Sequence, residues 1–211
     1  MKDQAKLSTQ FAVSLAGLLA VSNASAHHAM GGRTPETLFE GLLSGIAHPV
    51  IGLDHLAFLV VVGLLTFGLR TPGRWIVPGA FAAATVLGTL VHLGAVDLPI
   101  AEAAIAVSLL TGGLLVLARA ELSTLALSLA VAGFGLFHGY AYGESIVGAE
   151  QTPLLAYLAG FALVQYALIA GVVGGVSLIA RKSVRAPLLL GRGGGALATL
   201  AGGVSLAMNL A

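Results

Sequence analysis

Apolar residues run through this chain in long blocks, separated by short clusters of charge, glycine and proline. Six blocks fall near residues 38–69, 75–93, 99–118, 122–142, 153–180 and 187–209. Each is long enough for an α-helix to cross a hydrocarbon layer of about 30 Å, which takes roughly 20 residues. They are apolar all round and lack the amphipathic stripe of a helix at a soluble protein's surface. The connections are short, so successive helices should be antiparallel and close-packed. A shorter apolar run, Phe11 to Val21, follows Lys2 and Lys6 and precedes Ala24-Ser25-Ala26. That layout predicts a cleaved secretory signal peptide over 1–26. The alternative, a first membrane span, would have to cross with only about 11 apolar residues. The expected fold is therefore all-α: a polytopic membrane helix bundle over 27–211, with six transmembrane helices.

The first block is too long for one straight span. Thirty-odd helical residues would extend roughly 48 Å. Pro49 and Gly52 fall inside it. Proline removes a helical hydrogen bond and pushes the residue before it, His48, towards an extended conformation. A broken first helix is expected, with the break near Pro49–Gly52. Irregular backbone at membrane depth persists where protein or a wet cavity satisfies it.

Composition agrees with a membrane protein. Hydrophobic residues make up 57% of the 211 and charged ones 9%, against roughly 25% charged in a soluble domain. The charges that remain are distributed unevenly. With the mature N-terminus outside, the inner connections hold Arg70, Arg74, Arg119, Arg181, Lys182 and Arg185, and the outer segments hold Arg33. Asp97, Glu144 and Glu150 lie in or beside outer loops. This positive-inside asymmetry agrees with the signal peptide and places both mature termini on the external, periplasmic side of a bacterial inner membrane. A net charge of +1 without a basic patch argues against nucleic acid as a partner. Cysteine is absent, which excludes disulfides and thiolate metal sites. Glycine recurs every fourth residue at Gly41 and Gly45 and at Gly135, Gly139 and Gly143, a spacing that lets helix backbones approach closely. The run Gly191 to Gly195 lacks the phosphate-loop pattern and reads as a flexible start to the last helix.

Against this background a few polar groups stand out. An ionisable side chain at a helix centre costs about 2.5–3.5 kcal/mol on insertion scales, so each is a functional candidate. HPVIGLDH, residues 48–55, supplies His48, Asp54 and His55. FHGYAYGE, residues 137–144, supplies His138 and Glu144, again six residues apart. Glu102 opens the third block and His92 closes the second. On a straight helix His48 and His55 share a face but lie about 10.5 Å apart along the axis, too far to clasp one ion with metal–nitrogen bonds of about 2.0–2.1 Å. A bend would bring them together; otherwise they are successive stations on a path. Asp54 is a ligand or orients a histidine. Ninety residues separate His48 from His138, a shift compatible with two inverted three-span halves. His92 also reads as a helix-packing residue, and Glu102 as an interfacial one favouring a helix N-terminus. His27 and His28 would open the mature chain, either as weak metal collectors or as an incidental terminus.

HPVIGLDH, the glutamate in LPIAEAAIAVS, and FHGYAYGE resemble the corresponding stretches of the HupE/UreJ family. Those membrane proteins are associated with hydrogenase and urease clusters and regarded as nickel or cobalt permeases. The family patterns are H-P-x-x-G-x-D-H and F-H-G-x-A-x-G-E. The resemblance covers essentially the whole mature chain. It implies that His48, Asp54, His55, Glu102, His138 and Glu144 handle metal, with His27, His28 and His92 as weaker candidates. The family often carries a histidine in its fifth span. Here that region, FALVQYALIAG, has none, and Gln165 is its amide, a departure that bears on coordination number and on which metal is carried. The larger nickel/cobalt transporter family has a shorter H-x4-D-H spacing, which this chain does not share.

The expected function is a secondary permease moving a divalent transition metal inward, Ni2+ before Co2+, without a prosthetic group. Nitrogen and oxygen ligands suit such ions, and the missing thiolates argue against a dedicated Cu(I) site. The chain has no nucleotide motif. H-E-x-x-H and an apparent serine triad are absent too, which disfavours an enzyme such as an intramembrane metallohydrolase. The other reading is a non-transporting metal-binding or assembly subunit. The expected partners are the lipid bilayer and the metal ion, and the sequence leaves open a homo-oligomer or an accessory membrane partner.

Overall fold

A computed structural model describes residues 33–211. The expected signal peptide, His27 and His28 lie outside the described residues. Among those described there are seven α-helices, a single 3-10 turn and no strand. The helices are α1 (Leu38–Ile51), α2 (Leu53–Phe67), α3 (Thr71–Leu93), α4 (Ala101–Leu117), α5 (Thr124–Gly143), α6 (Gln151–Lys182) and α7 (Ala186–Leu210), with the 3-10 turn at Glu144–Ile146. α3, α6 and α5 with its 3-10 turn are long and apolar enough to cross a membrane, and α1 with α2 adds a fourth crossing if the bent pair is one span. α4 is apolar but, at 17 residues, spans only about 25 Å.

The surface inverts the pattern of a soluble protein. Leu125, Leu129, Leu163 and Leu200 are exposed, whereas His48, His55, His138 and Gln165 are buried. The apolar core centres on α2, which touches every other helix. Phe58, Leu59, Val61 and Val62 of α2 pack there with Val77 and Phe81 of α3, Leu109 of α4, Leu127 and Val131 of α5, and Ile169 of α6.

α1 starts at a capping box. Thr37 Oγ1 accepts from the Glu40 N–H at 3.1 Å, and Glu40 Oε2 accepts from the Thr37 N–H at 3.2 Å. The break comes later than Pro49. His48 stays helical and α1 continues through Pro49 to Ile51, because one missing N–H is tolerable when the flanking bonds survive. Gly52 is the extended residue, with φ −69° and ψ 102°. Its N–H still donates to the His48 carbonyl at 3.1 Å, and α2 leaves at 76° to α1. At the far end of α2, Arg74 donates to the carbonyls of Phe67 and Leu69 at 2.8 and 2.9 Å, satisfying groups that a helix end leaves open.

Glycines bring three helix pairs together backbone to backbone. On the α1–α6 face, a Cβ at Gly41 would strike the Pro153 carbonyl, one at Gly45 the Tyr157 carbonyl, and one at Gly160 the Leu42 carbonyl and Ile46 nitrogen. The α3–α5 face repeats this register. Gly135 faces the Phe81 carbonyl, Gly139 the Thr85 carbonyl, and Gly88 the Leu136 carbonyl and Tyr140 nitrogen. Gly41, Leu42, Gly45 and Ile46 thus correspond to Gly135, Leu136, Gly139 and Tyr140, while Pro153, Tyr157 and Gly160 correspond to Phe81, Thr85 and Gly88. In this packing the counterpart of His48 is Tyr142 and not His138, a different register from the one the two histidine motifs suggest. The contacts advance together along both helices of each pair, so α1 runs parallel to α6 and α3 to α5. α4 and α7 are antiparallel, with Gly113 against Thr199 and Gly195 against Leu117. The glycine run Gly191 to Gly195 is continuous helix in α7, not a flexible lead-in, and Gly195 serves this last contact.

Candidate metal site

The bend at Gly52 assembles the site. His48 opens the last turn of α1 and His55 lies in the first turn of α2. Their ring centroids are 6.0 Å apart, well short of the separation a straight helix would impose. A Cβ at Gly52 would stand 2.6 Å from His55 Cδ2, so glycine leaves the space the imidazole occupies. His138 approaches from α5 and places its Nδ1 2.7 Å from His55 Nδ1. Tyr142, one turn further on, sets its ring edge-on against His48 and His55, at 4.8 and 4.6 Å between centroids. All three histidines and Tyr142 are buried.

Hydroxyl groups hold the imidazoles from behind. Ser145 Oγ and Tyr157 Oη lie 3.0 and 3.1 Å from His48 Nδ1. Tyr157 donates its proton to the Tyr142 carbonyl at 2.8 Å. Ser108 of α4 lies 3.0 Å from His138 Nε2. Apolar rings from α2 and α3 pack around His138. Phe58 stacks on His138 at 4.7 Å and Phe81 meets it edge-on at 5.8 Å. Burial among aromatic rings excludes water and strengthens each polar contact.

The other expected residues lie around this cluster. Asp54 is half-buried, and its Oδ1 accepts from the His55 N–H at 2.8 Å, so it caps α2 beside the histidine. Glu102 and Glu144 are exposed. Glu144 adjoins Ser145, which bonds His48. His92 packs at the end of α3 against Gly143, where a Cβ would meet it at 2.5 Å. With Asp97 and Tyr140 it lines a separate cavity of about 390 Å³. Gln165 is fully buried on α6; its Oε1 accepts from Thr85 at 2.9 Å, and its Nε2 has no partner among the described residues.

Among the described residues, no three of His, Cys, Asp or Glu are arranged to hold a metal ion. One ring nitrogen of His138 faces His55 and the other faces Ser108. A two-imidazole site between His48 and His55, completed by oxygen ligands or water, is the arrangement these donors permit. Motif reading alone passed over Ser108, Tyr142, Ser145 and Tyr157. Their signal was a hydroxyl kept inside an apolar run, which is costly unless it has a partner.

Comparison with known proteins places the chain. A family model described as HupE / UreJ protein matches residues 15–206. Protein HupE of Rhizobium leguminosarum bv. viciae is 33% identical over 164 residues, covering 78% of this chain and 80% of that protein. No solved structure matches.

Proposed function

This chain belongs to the HupE/UreJ family, and on that premise we propose that it is a secondary permease carrying a divalent transition metal, nickel before cobalt, inward across a bacterial inner membrane. The observation that carries this reading is the pair His48 and His55, buried on either side of a 76° helix break in an otherwise apolar bundle. Broken helices that present polar groups between packed segments are where transporters bind their cargo. Imidazole nitrogen with carboxylate or hydroxyl oxygen suits Ni2+ and Co2+.

The proposed topology is six crossings after a cleaved signal peptide, with α1 and α2 forming one bent span and both mature termini external. The parallel α1–α6 and α3–α5 pairs and the antiparallel α4–α7 pair agree with that alternation. In this topology Glu36, Glu40, Asp97, Glu102, Glu144 and Glu150 cluster towards the outer face, where they raise the local cation concentration. His27, His28, and His92 with Asp97 are outer collecting points. Ser108 lies six residues beyond Glu102, so the histidines sit roughly 9 Å below the outer end of α4. There His48 and His55 replace part of the ion's water shell, with Asp54 beside them. Phe58 and the core of α2 close the route inward, so release requires α2 to move. The matched registers of α1–α6 and α3–α5 suit two inverted halves that exchange access. A charge of +2 gains about 4.6 kcal/mol per 100 mV of inside-negative potential, so inward movement needs no nucleotide.

The test is radiometal flux into proteoliposomes containing this protein alone, with nickel, cobalt, zinc and copper in competition. Nickel uptake that falls sharply in His48→Ala and Asp54→Asn is expected. Uptake no greater than in empty vesicles, with metal still bound, would replace the permease with a metal-binding subunit.

A further inference from the structure

The hydroxyls behind the histidines determine which ring nitrogen faces the ion. Ser108 Oγ donates to the Ile105 carbonyl at 2.6 Å. A hydroxyl has one proton; the carbonyl is the nearer acceptor and takes it, so towards His138 Nε2, 3.0 Å away, the same oxygen accepts. His138 in its neutral form therefore carries its proton on Nε2 and a lone pair on Nδ1. His55 Nδ1 stands 2.7 Å from that lone pair. Two lone pairs at this distance repel, so the proton between them belongs to His55 Nδ1, which donates to His138. His55 is left with its lone pair on Nε2.

The same logic applies to His48 through a different chain. Tyr157 donates to the Tyr142 carbonyl at 2.8 Å. The carbonyl is the nearer acceptor and takes the single phenolic proton, so towards His48 Nδ1, 3.1 Å away, the oxygen accepts and that nitrogen carries the proton. Ser145 Oγ, at 3.0 Å, shares this N–H. His48 also carries its lone pair on Nε2. Two independent hydroxyl chains, from α4 and α6, thus give both histidines flanking Gly52 the same tautomer.

We infer that Ser108 and Tyr157 are positioning residues that lock His55, through His138, and His48 as Nδ1–H tautomers, so that both direct Nε2 to a single divalent transition-metal ion while His138 stands behind His55 and does not ligate. This deepens the permease reading and rests on it. The arrangement follows a general feature of imidazole ligands, whose second N–H is held by a neighbour that fixes the tautomer and raises basicity.

Nitrogen-15 NMR of the full chain in lipid, labelled at histidine and free of metal, reads the tautomers without reference to transport. Nδ1–H signals for His48 and His55 and an Nε2–H signal for His138 are expected, assigned by His→Gln variants. His48 or His55 in the Nε2–H form would overturn the inference. Nickel titration of the same protein provides the second readout. Ser108→Ala and the double variant Tyr157→Phe/Ser145→Ala should each lower nickel affinity about 10–100-fold, with Ser108→Thr restoring it. Unmodified affinity in both variants would also overturn it. If the tautomers and affinities come out as stated but proteoliposomes take up no nickel, the permease reading fails and the tautomer assignment stands.

Discussion

A single methyl group added at Gly52 should disable the site while leaving the bundle intact. Gly52 has φ −69° and ψ 102°, a conformation alanine adopts without strain, so Gly52→Ala perturbs side chains only. The new Cβ would fall 2.6 Å from His55 Cδ2 and 3.4 Å from Asp54 Oδ1. Carbon atoms pack at about 3.5–4.0 Å, so the imidazole must withdraw by roughly 0.9 Å. Metal–ligand distances tolerate only about 0.2 Å of error. A retreat of that size also strains the 2.7 Å contact between His55 and His138. Losing one buried hydrogen bond costs about 1–3 kcal/mol, so the helices should stay folded. A misplacement near 1 Å at a reacting centre costs on the order of 100-fold, and a similar drop is expected in nickel affinity and initial uptake. Calorimetric nickel titration, radionickel flux and circular dichroism together make the assay. Full helicity with both affinity and flux at the unmodified level would show that the His55 ring does not need the space beside Gly52.

Further predictions concern the scaffold. Gly45→Ala and Gly139→Ala occupy equivalent places in the repeated interface, and each should cost about 1–3 kcal/mol of stability through overpacking, read by thermal unfolding in detergent. Gly133→Ala and Gly174→Ala, where an added Cβ meets nothing within 4 Å, should cost nothing. Arg74→Ala removes two hydrogen bonds from the end of α2 and should lower stability by roughly 1–3 kcal/mol, with hydrogen exchange rising first at Phe67 to Leu69. Thr37→Ala should cost about 1 kcal/mol and increase exchange in the first turn of α1.

The helices were legible because apolar length and glycine or proline boundaries are local properties. The break in the first segment was legible too, within Pro49–Gly52, but not which of those residues leaves helical geometry. Proline strains a helix without necessarily ending it, and here the residue that leaves helical geometry is Gly52, where the His55 ring needs the room. The histidine motifs were conspicuous because imidazole is costly in lipid, and His48, His55 and His138 do converge. Their chemical similarity nevertheless suggested the wrong internal register. Equivalence in a packed bundle is set by which glycine meets which carbonyl, and by that measure Gly45 matches Gly139 and His48 matches Tyr142. Ser108 and Tyr157 were passed over because serine and tyrosine occur in apolar helices for ordinary packing reasons. Their role depends on partners that are distant in sequence, Ser108 with His138 and Tyr157 with His48. Glu102 and Glu144 share motifs with buried residues but remain exposed, as an ionised carboxylate costs less at the rim than in the apolar interior.

If one ion is held by the two imidazoles on either side of Gly52, X-ray absorption at the nickel edge of the loaded full chain will count two imidazoles on the metal, falling to one in His48→Gln and in His55→Gln and staying at two in His138→Gln. An imidazole count unchanged by the first two substitutions would rule that site out.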